Sequence, residues 1–256
     1  MQALDPLLKQ GKAVTFRQGF IPQPVVRLTG ERDSHGELLD GFLTSFVNVS
    51  RVQYIAHLDE YAEALDGWLY VLSRLGFHAR HIRFSGRAEV WHRRQVAGMT
   101  LMFHHLDLAV GDMVLLWNVG HPDRLALDLG TGLERLLWAR SRRPWGDLLF
   151  GGFSGTAMPN VLDAMRTATL LLGSGITPAA RGAGSVTRRA LATVPADLLR
   201  FGSSSIVRAF HDFWSTCTPL PVPWPAVTSA MEAELASRMD RKGCGRGTQA
   251  GARCVT

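Results

Sequence analysis

Trp117-Asn118, followed after a short polar turn by Leu127-Asp128-Leu129-Gly130-Thr131-Gly132-Leu133-Glu134-Arg135-Leu136, is the stretch whose reading decides the fold. Leu125, Leu127 and Leu129 alternate with Ala126 and Asp128, the period of a strand. From Leu133 onward Leu136, Leu137 and Arg140 fall at helical spacing. The pattern predicts an apolar strand, a turn at Gly130 and Gly132, and an amphipathic helix starting at Leu133. Glycine lacks a Cβ, so a flat ligand can lie against the backbone at Gly130 and Gly132. Arg135 is then placed to cover that ligand or to reach its phosphates, because a guanidinium is planar, permanently charged and fork-shaped.

The run Asp128-x-Gly130-x-Gly132-Leu133-Glu134-Arg135-Leu136 resembles motif 3 of class II aminoacyl-tRNA synthetases, in the form carried by the alanyl family. The resemblance implies that Gly130, Gly132, Glu134 and Arg135 lie at ATP. It also implies that Asp128 holds the amino group of an amino acid, with Trp117 and Asn118 in the same pocket. Phe20-Ile21-Pro22-Gln23-Pro24-Val25-Val26-Arg27 is similar to the first strand of motif 2 in that family. By that likeness Arg27 grips the α-phosphate and the amino-acid carboxylate; Arg17 is a rival for the role. The return strand, residues 42–54, departs from the pattern. It carries Leu43-Thr44-Ser45-Phe46-Val47-Asn48 where the family has an acid, and Asn48 is the nearest polar substitute at the substrate.

Composition sets the outer limits. The chain has 256 residues, 46% hydrophobic and 20% charged, enough for a sizeable core and too apolar for disorder. No apolar run approaches bilayer-spanning length, and residues 1–10 lack the pattern of a signal peptide, so a soluble cytoplasmic protein with no membrane partner is expected. The three cysteines fall at Cys217, Cys244 and Cys254, which suits neither a disulfide framework nor a zinc site. A net charge of +6 suits an anionic partner such as ATP, a tRNA acceptor stem or an acidic carrier protein.

Residues 57–76 form the clearest helix, with Leu58, Tyr61, Leu65, Trp68, Leu69, Leu72 and Leu75 on one stripe and Gly76 as its stop. Residues 77–94 alternate basic and apolar side chains and predict a half-exposed pair of strands. His104-His105-x-Asp107 invites a metal reading, but neighbouring strand residues point to opposite faces, and no protein-bound metal is assigned. Beyond Gly151-Gly152, residues 161–189 resemble the helical domain that follows the catalytic core in alanyl-tRNA synthetases and approaches the tRNA acceptor stem; on a tRNA-binding reading Arg140, Arg142, Arg143, Arg181, Arg188 and Arg189 would line the RNA backbone. Four prolines between Thr218 and Pro225 predict a stiff linker, followed by a short helix over 226–239 and a disordered tail.

The expectation is an α+β protein: a class II synthetase-like antiparallel sheet flanked by helices over 1–150, a small helical domain over 151–215, and a linker, helix and tail over 216–256. The first class II motif and a zinc-bearing editing domain have no counterpart, so the resemblance implies a trimmed catalytic core. Its implied chemistry is ATP- and Mg2+-dependent activation of a small amino acid, alanine first among them. The acceptor would be a carrier protein, a small amine or a tRNA. Two other readings stay open: a protein that charges or holds tRNA, and a non-catalytic synthetase paralogue acting as a scaffold or regulator.

Overall fold

A computed structural model describes residues 4–13, 19–28, 30–86, 89–196, 198 and 203–247. Arg17, the rival to Arg27, lies outside the described residues, as do Arg87 and the end of the chain from residue 248. The chain groups into two compact units, Met1–Gln23 with Phe46–Pro144, and Pro24–Ser45 with Trp145–Thr256.

The first unit is built on an antiparallel sheet. Its strands are β1 (Ile21–Val26), β2 (Ser45–Ile55), β3 (Ile82–Gly86), β4 (Trp91–Arg93), β5 (Val96–His105), β6 (Leu108–Asn118) and β7 (Leu125–Gly132). They run in the order β1-β2-β7-β6-β5-β3, with β4 also on β5. Residues 77–94 do yield two strands, but both pair with β5 and not with each other. Gly130 and Gly132 correct another expectation. The strand runs straight through them, paired to Ser50 and Asn48, and helix α3 (Leu133–Ser141) starts immediately after Gly132 without a turn.

One face of the sheet carries the core. Leu127 and Leu129 of β7, Met113 of β6, Phe103 of β5 and Ile55 of β2 pack with Ala64, Trp68 and Leu72 of α2 (Leu58–Arg74), and with Leu136 and Ala139 of α3. Period 2 in the strands and period 3.6 in the helices bring these side chains to a common layer. Both ends of α2 are closed locally. Glu60 Oε1 accepts from the Ala56 N–H at 2.7 Å and from the N-cap His57 N–H at 3.3 Å. At the other end Gly76 takes φ +85°, which a side chain would strain. Phe77 N–H then reaches Leu72 O at 3.0 Å and Gly76 N–H reaches Ser73 O at 2.9 Å, the paired bonds of a Schellman stop.

The opposite face is covered at one end. Leu4 and Leu8, on and just before α1 (Asp5–Gln10), pack on Val96, Leu116 and Ala126. Asn118 Nδ2 donates to the Leu8 carbonyl at 2.7 Å, tying α1 to the end of β6.

The second unit is helical, with α4 (Trp145–Phe150), α5 (Pro159–Gly173), α6 (Ala183–Thr193), α7 (Ser204–Ser215) and α8 (Trp224–Gly247). Helix α5 is its axis, buried at every residue from Val161 to Gly173 and packed on α6, α7 and α8. Helix α8 continues past Met239 to Gly247, so the expected short helix is longer and takes in the first residues assigned to the disordered tail. Arg238 donates to the closing carbonyls of α6 at Leu191 and, at 3.0 Å, Ala192, where a cation suits unpaired C=O groups and the negative end of the dipole. Residues 24–45, read from the sequence as part of the catalytic core, lie with these helices. The loop is a small ordered hairpin. Asp33 Oδ1 accepts from His35 and Glu37 N–H groups at 2.8 and 2.9 Å, and Arg32 bridges Leu38.

Candidate functional site

Strand register decides which side chains share the open face. Pairing of β2 with β7 sets Asn48 opposite Gly132, Ser50 opposite Gly130 and Val52 opposite Asp128. Pairing of β6 with β7 sets Asp112 opposite Gly130 and Val114 opposite Asp128. Pairing of β5 with β6 adds Met102 beside Asp112 and Thr100 beside Val114. Paired residues point to the same face, so Asn48, Ser50, Asp112, Asp128, Gly130 and Gly132 form one surface away from the apolar core.

Gly130 is at its centre. A methyl group placed there would stand 3.6 Å from Asn48 Oδ1 and 3.9 Å from Asp112 Oδ1, with nothing closer. A methyl group on Gly132 would stand 3.8 Å from Arg135 Cγ and from the Phe46 ring. Neither glycine is forced by a clash or by a left-handed backbone. Their missing side chains leave a strip of bare strand, edged by the Asn48 and Asp112 oxygens at one glycine and by the arginine stem at the other.

The strip is held firmly. Glu134, the second residue of α3, is buried, and both carboxylate oxygens accept from the Val47 N–H at 3.1 and 3.2 Å. The acid suits the positive end of the helix and locks α3 to β2 next to Asn48. Thr131 Oγ1 donates to the Val110 carbonyl, and Gly111 lets β6 approach: a methyl group there would lie 2.6 Å from the Gly130 carbonyl. Asp128 is half-buried between Val52 and Val114. On the core side Tyr61 donates to the Met113 carbonyl at 3.2 Å; burial first, and then the Asp112 charge, push its hydroxyl pKa up to about 12.

Within the first unit the structure brings Asn48, Asp128, Gly130, Gly132 and Arg135 together. Trp117 pairs with Leu125 and Ala97, one residue out of phase with Asp128, and therefore points to the opposite face. Asn118 shares the face, but under α1. Its Nδ2 is spent on Leu8, and its Oδ1 accepts from Gly120 and His121 N–H at 2.8 and 2.9 Å, so it builds the β6–β7 turn. Glu134 serves Val47 as described. Arg27 lies in the second unit, exposed, with its backbone N–H on the Thr44 carbonyl at 2.7 Å.

Asp112 and Ser50 escaped the sequence reading. Asp112 is the one acid inside the apolar strand Leu108–Asn118, and that lone charge was the available signal. The His104-His105-x-Asp107 group is dispersed. His104 Nε2 shares a hydrogen bond with Ser85 Oγ at 2.9 Å, His105 packs edge-on against Phe77 and His81, and Asp107 pairs with Arg142 at 3.1 Å. Among the described residues no set of three His, Cys, Asp or Glu side chains is arranged to hold a metal, and no helix is long and apolar enough to cross a membrane. The chain matches no protein-family model and no curated protein.

Proposed function

We propose that the protein activates a small amino acid with ATP, forming an aminoacyl-adenylate on the strip around Gly130 and passing the acyl group to a carrier protein, a small amine or a tRNA. The supporting observation is the pairing of bare strand at Gly130 and Gly132 with Arg135 at one end and Asp128 beside it, on a polar sheet face. A purine has a flat apolar surface that bare backbone accepts. The Arg135 guanidinium provides charge and stacking next to it. Asp128, two residues along the same face, is the counter-charge for a substrate ammonium. Arg27 is assigned to the α-phosphate by resemblance alone.

In the reaction a carboxylate oxygen of the amino acid attacks the α-phosphorus, the bond to the bridging oxygen breaks, and pyrophosphate leaves with the electron pair. The acceptor's amine, thiol or hydroxyl then attacks the acyl carbonyl and AMP departs. Neither step needs a strong protein base; both need alignment and neutralised charge. Asp112 and Asn48 Oδ1 are the oxygens at Gly130 that would hold an ATP-bound magnesium ion, which takes one or two protein oxygens. When bound, the ion supplies charge neutralisation on the phosphates.

Amino-acid-dependent exchange of pyrophosphate into ATP, over a panel of amino acids, tests the reading. Wild type should exchange with a small amino acid, and Arg135→Ala should lose about 100-fold or more. Absence of exchange with every amino acid, together with no ATP-induced thermal shift, would overturn it.

A further inference from the structure

We propose that Asp163, buried on α5, is a positioning residue that sets Arg27 through the backbone of Thr44. The inference rests on the adenylating role proposed for Arg27. The connection has two hydrogen bonds. Asp163 Oδ1 accepts from the Thr44 N–H at 3.0 Å, and the Thr44 carbonyl accepts from the Arg27 N–H at 2.7 Å. Thr44 therefore links the two, its N–H bonded to α5 and its carbonyl to the Arg27 backbone.

The grip is reinforced at the next residue. Arg166 Nη1 donates to the Ser45 carbonyl, and Thr167 Oγ1 donates to Ser45 Oγ at 2.9 Å. Asp163, Arg166, Thr167 and Ser45 are each at most 3% exposed. Arg166 is itself wedged over the rings of Phe213 and Trp214, 4.8 and 4.3 Å to their centroids, and the Trp214 indole N–H donates to its carbonyl at 3.0 Å. Placing a carboxylate and a guanidinium inside a helix bundle is costly, and an apolar pair would fill the space as well. Their oxygen and nitrogen atoms are directed at the backbone of residues 44 and 45, where an apolar pair would leave both peptide groups without partners. Within the second unit, α5 thus holds residues 44 and 45 by their backbone. The tip of the same loop is held too, by Glu37 Oε2 accepting from the Asn160 N–H at 3.2 Å.

The test combines amide exchange with kinetics. In wild type, the amide protons of Thr44 and Arg27 should exchange as slowly as those of the α5 core. In Asp163→Ala both should exchange about tenfold faster or more, while α7 and α8 keep their protection. Asp163→Asn, which keeps an acceptor at Oδ1, should restore most of the protection. In pyrophosphate exchange, Asp163→Ala should lower kcat more than it raises KM for ATP. That loss should shrink to within about twofold in an Arg27→Ala background, where there is no guanidinium left to position. Fast exchange at Arg27 in wild type, or equal losses in both backgrounds, overturns the proposal, and the wild-type measurement decides even where the alanine variant does not fold. If wild type lacks exchange activity altogether, the adenylating reading fails, while the amide data still report whether Asp163 sets Arg27.

Discussion

Asp128 shows how a single residue acquires meaning from its register. In the sequence it interrupts an apolar run; in the sheet it sits half-buried between Val52 and Val114, on the face shared with Gly130. A carboxylate there has two valines for strand neighbours, and a substrate ammonium would be a strong electrostatic partner for it. Asp128→Asn keeps the shape and removes the charge. It should raise KM for the amino acid about tenfold or more in pyrophosphate exchange, with a small change in KM for ATP. An equal effect on both would place Asp128 elsewhere in the mechanism. Glu134 shows the converse. Its position in the motif suggests the nucleotide, yet its two oxygens close on Val47, and it acts on the surface through β2.

Helix α2 was readable as an element because every local signal agreed. The apolar stripe, the Glu60 bonds to residues 56 and 57, and Gly76 at the stop each point to the same boundaries. Its energetic centre is Trp68, 1% exposed and packed against Phe20 and Phe103 at ring-centroid distances of 5.4 and 6.3 Å. Trp68→Ala should lower unfolding free energy by about 3–5 kcal/mol in urea melts, because the cavity adds to the lost burial. A loss below about 1 kcal/mol would mean the site collapses around the gap. Strand β7 is less legible in its local sequence. Two glycines look like a turn, but pairing to β2 at both, and to β6 as well at Gly130, keeps them extended, and neighbours in the sheet override local preference.

At the scale of the molecule, the sheet unit carries a built-in acid sensitivity. His105 is buried at the end of β5 against Phe77, next to His81 and the Arg142 charge. Burial first, then Arg142 and His81, hold its pKa below the ordinary 6.5, while a hydrogen bond from the ring to the Ala139 backbone carbonyl and the Asp107 charge pull the other way. The folded state therefore binds fewer protons than the unfolded chain in this range. The His105 contribution to stability is fully present above 6.5 and is lost as pH falls from there through the lowered pKa. His105→Phe, which retains an edge-on ring, should flatten the dependence of Tm between about pH 7 and 5. An unchanged slope would assign the acid loss to other groups.

The amino-acid sequence by itself determined the periodicities: alternating strands around 125–132, the stripe of α2, the helix from Leu133, and the chemical character of Asp128, Gly130, Gly132 and Arg135. These are local properties, carried by the spacing of a few adjacent residues. Tertiary structure alone decided which residues meet. A one-residue phase difference sends Trp117 to the far face, while pairing brings Asp112 and Ser50 beside Gly130. It also decided that residues 24–45 fold with α5, because Asp163 and Arg166 are buried polar groups that must find backbone partners, and those partners lie more than a hundred residues away in the chain. Pairing and burial act across such separations, where no repeat in the sequence records them.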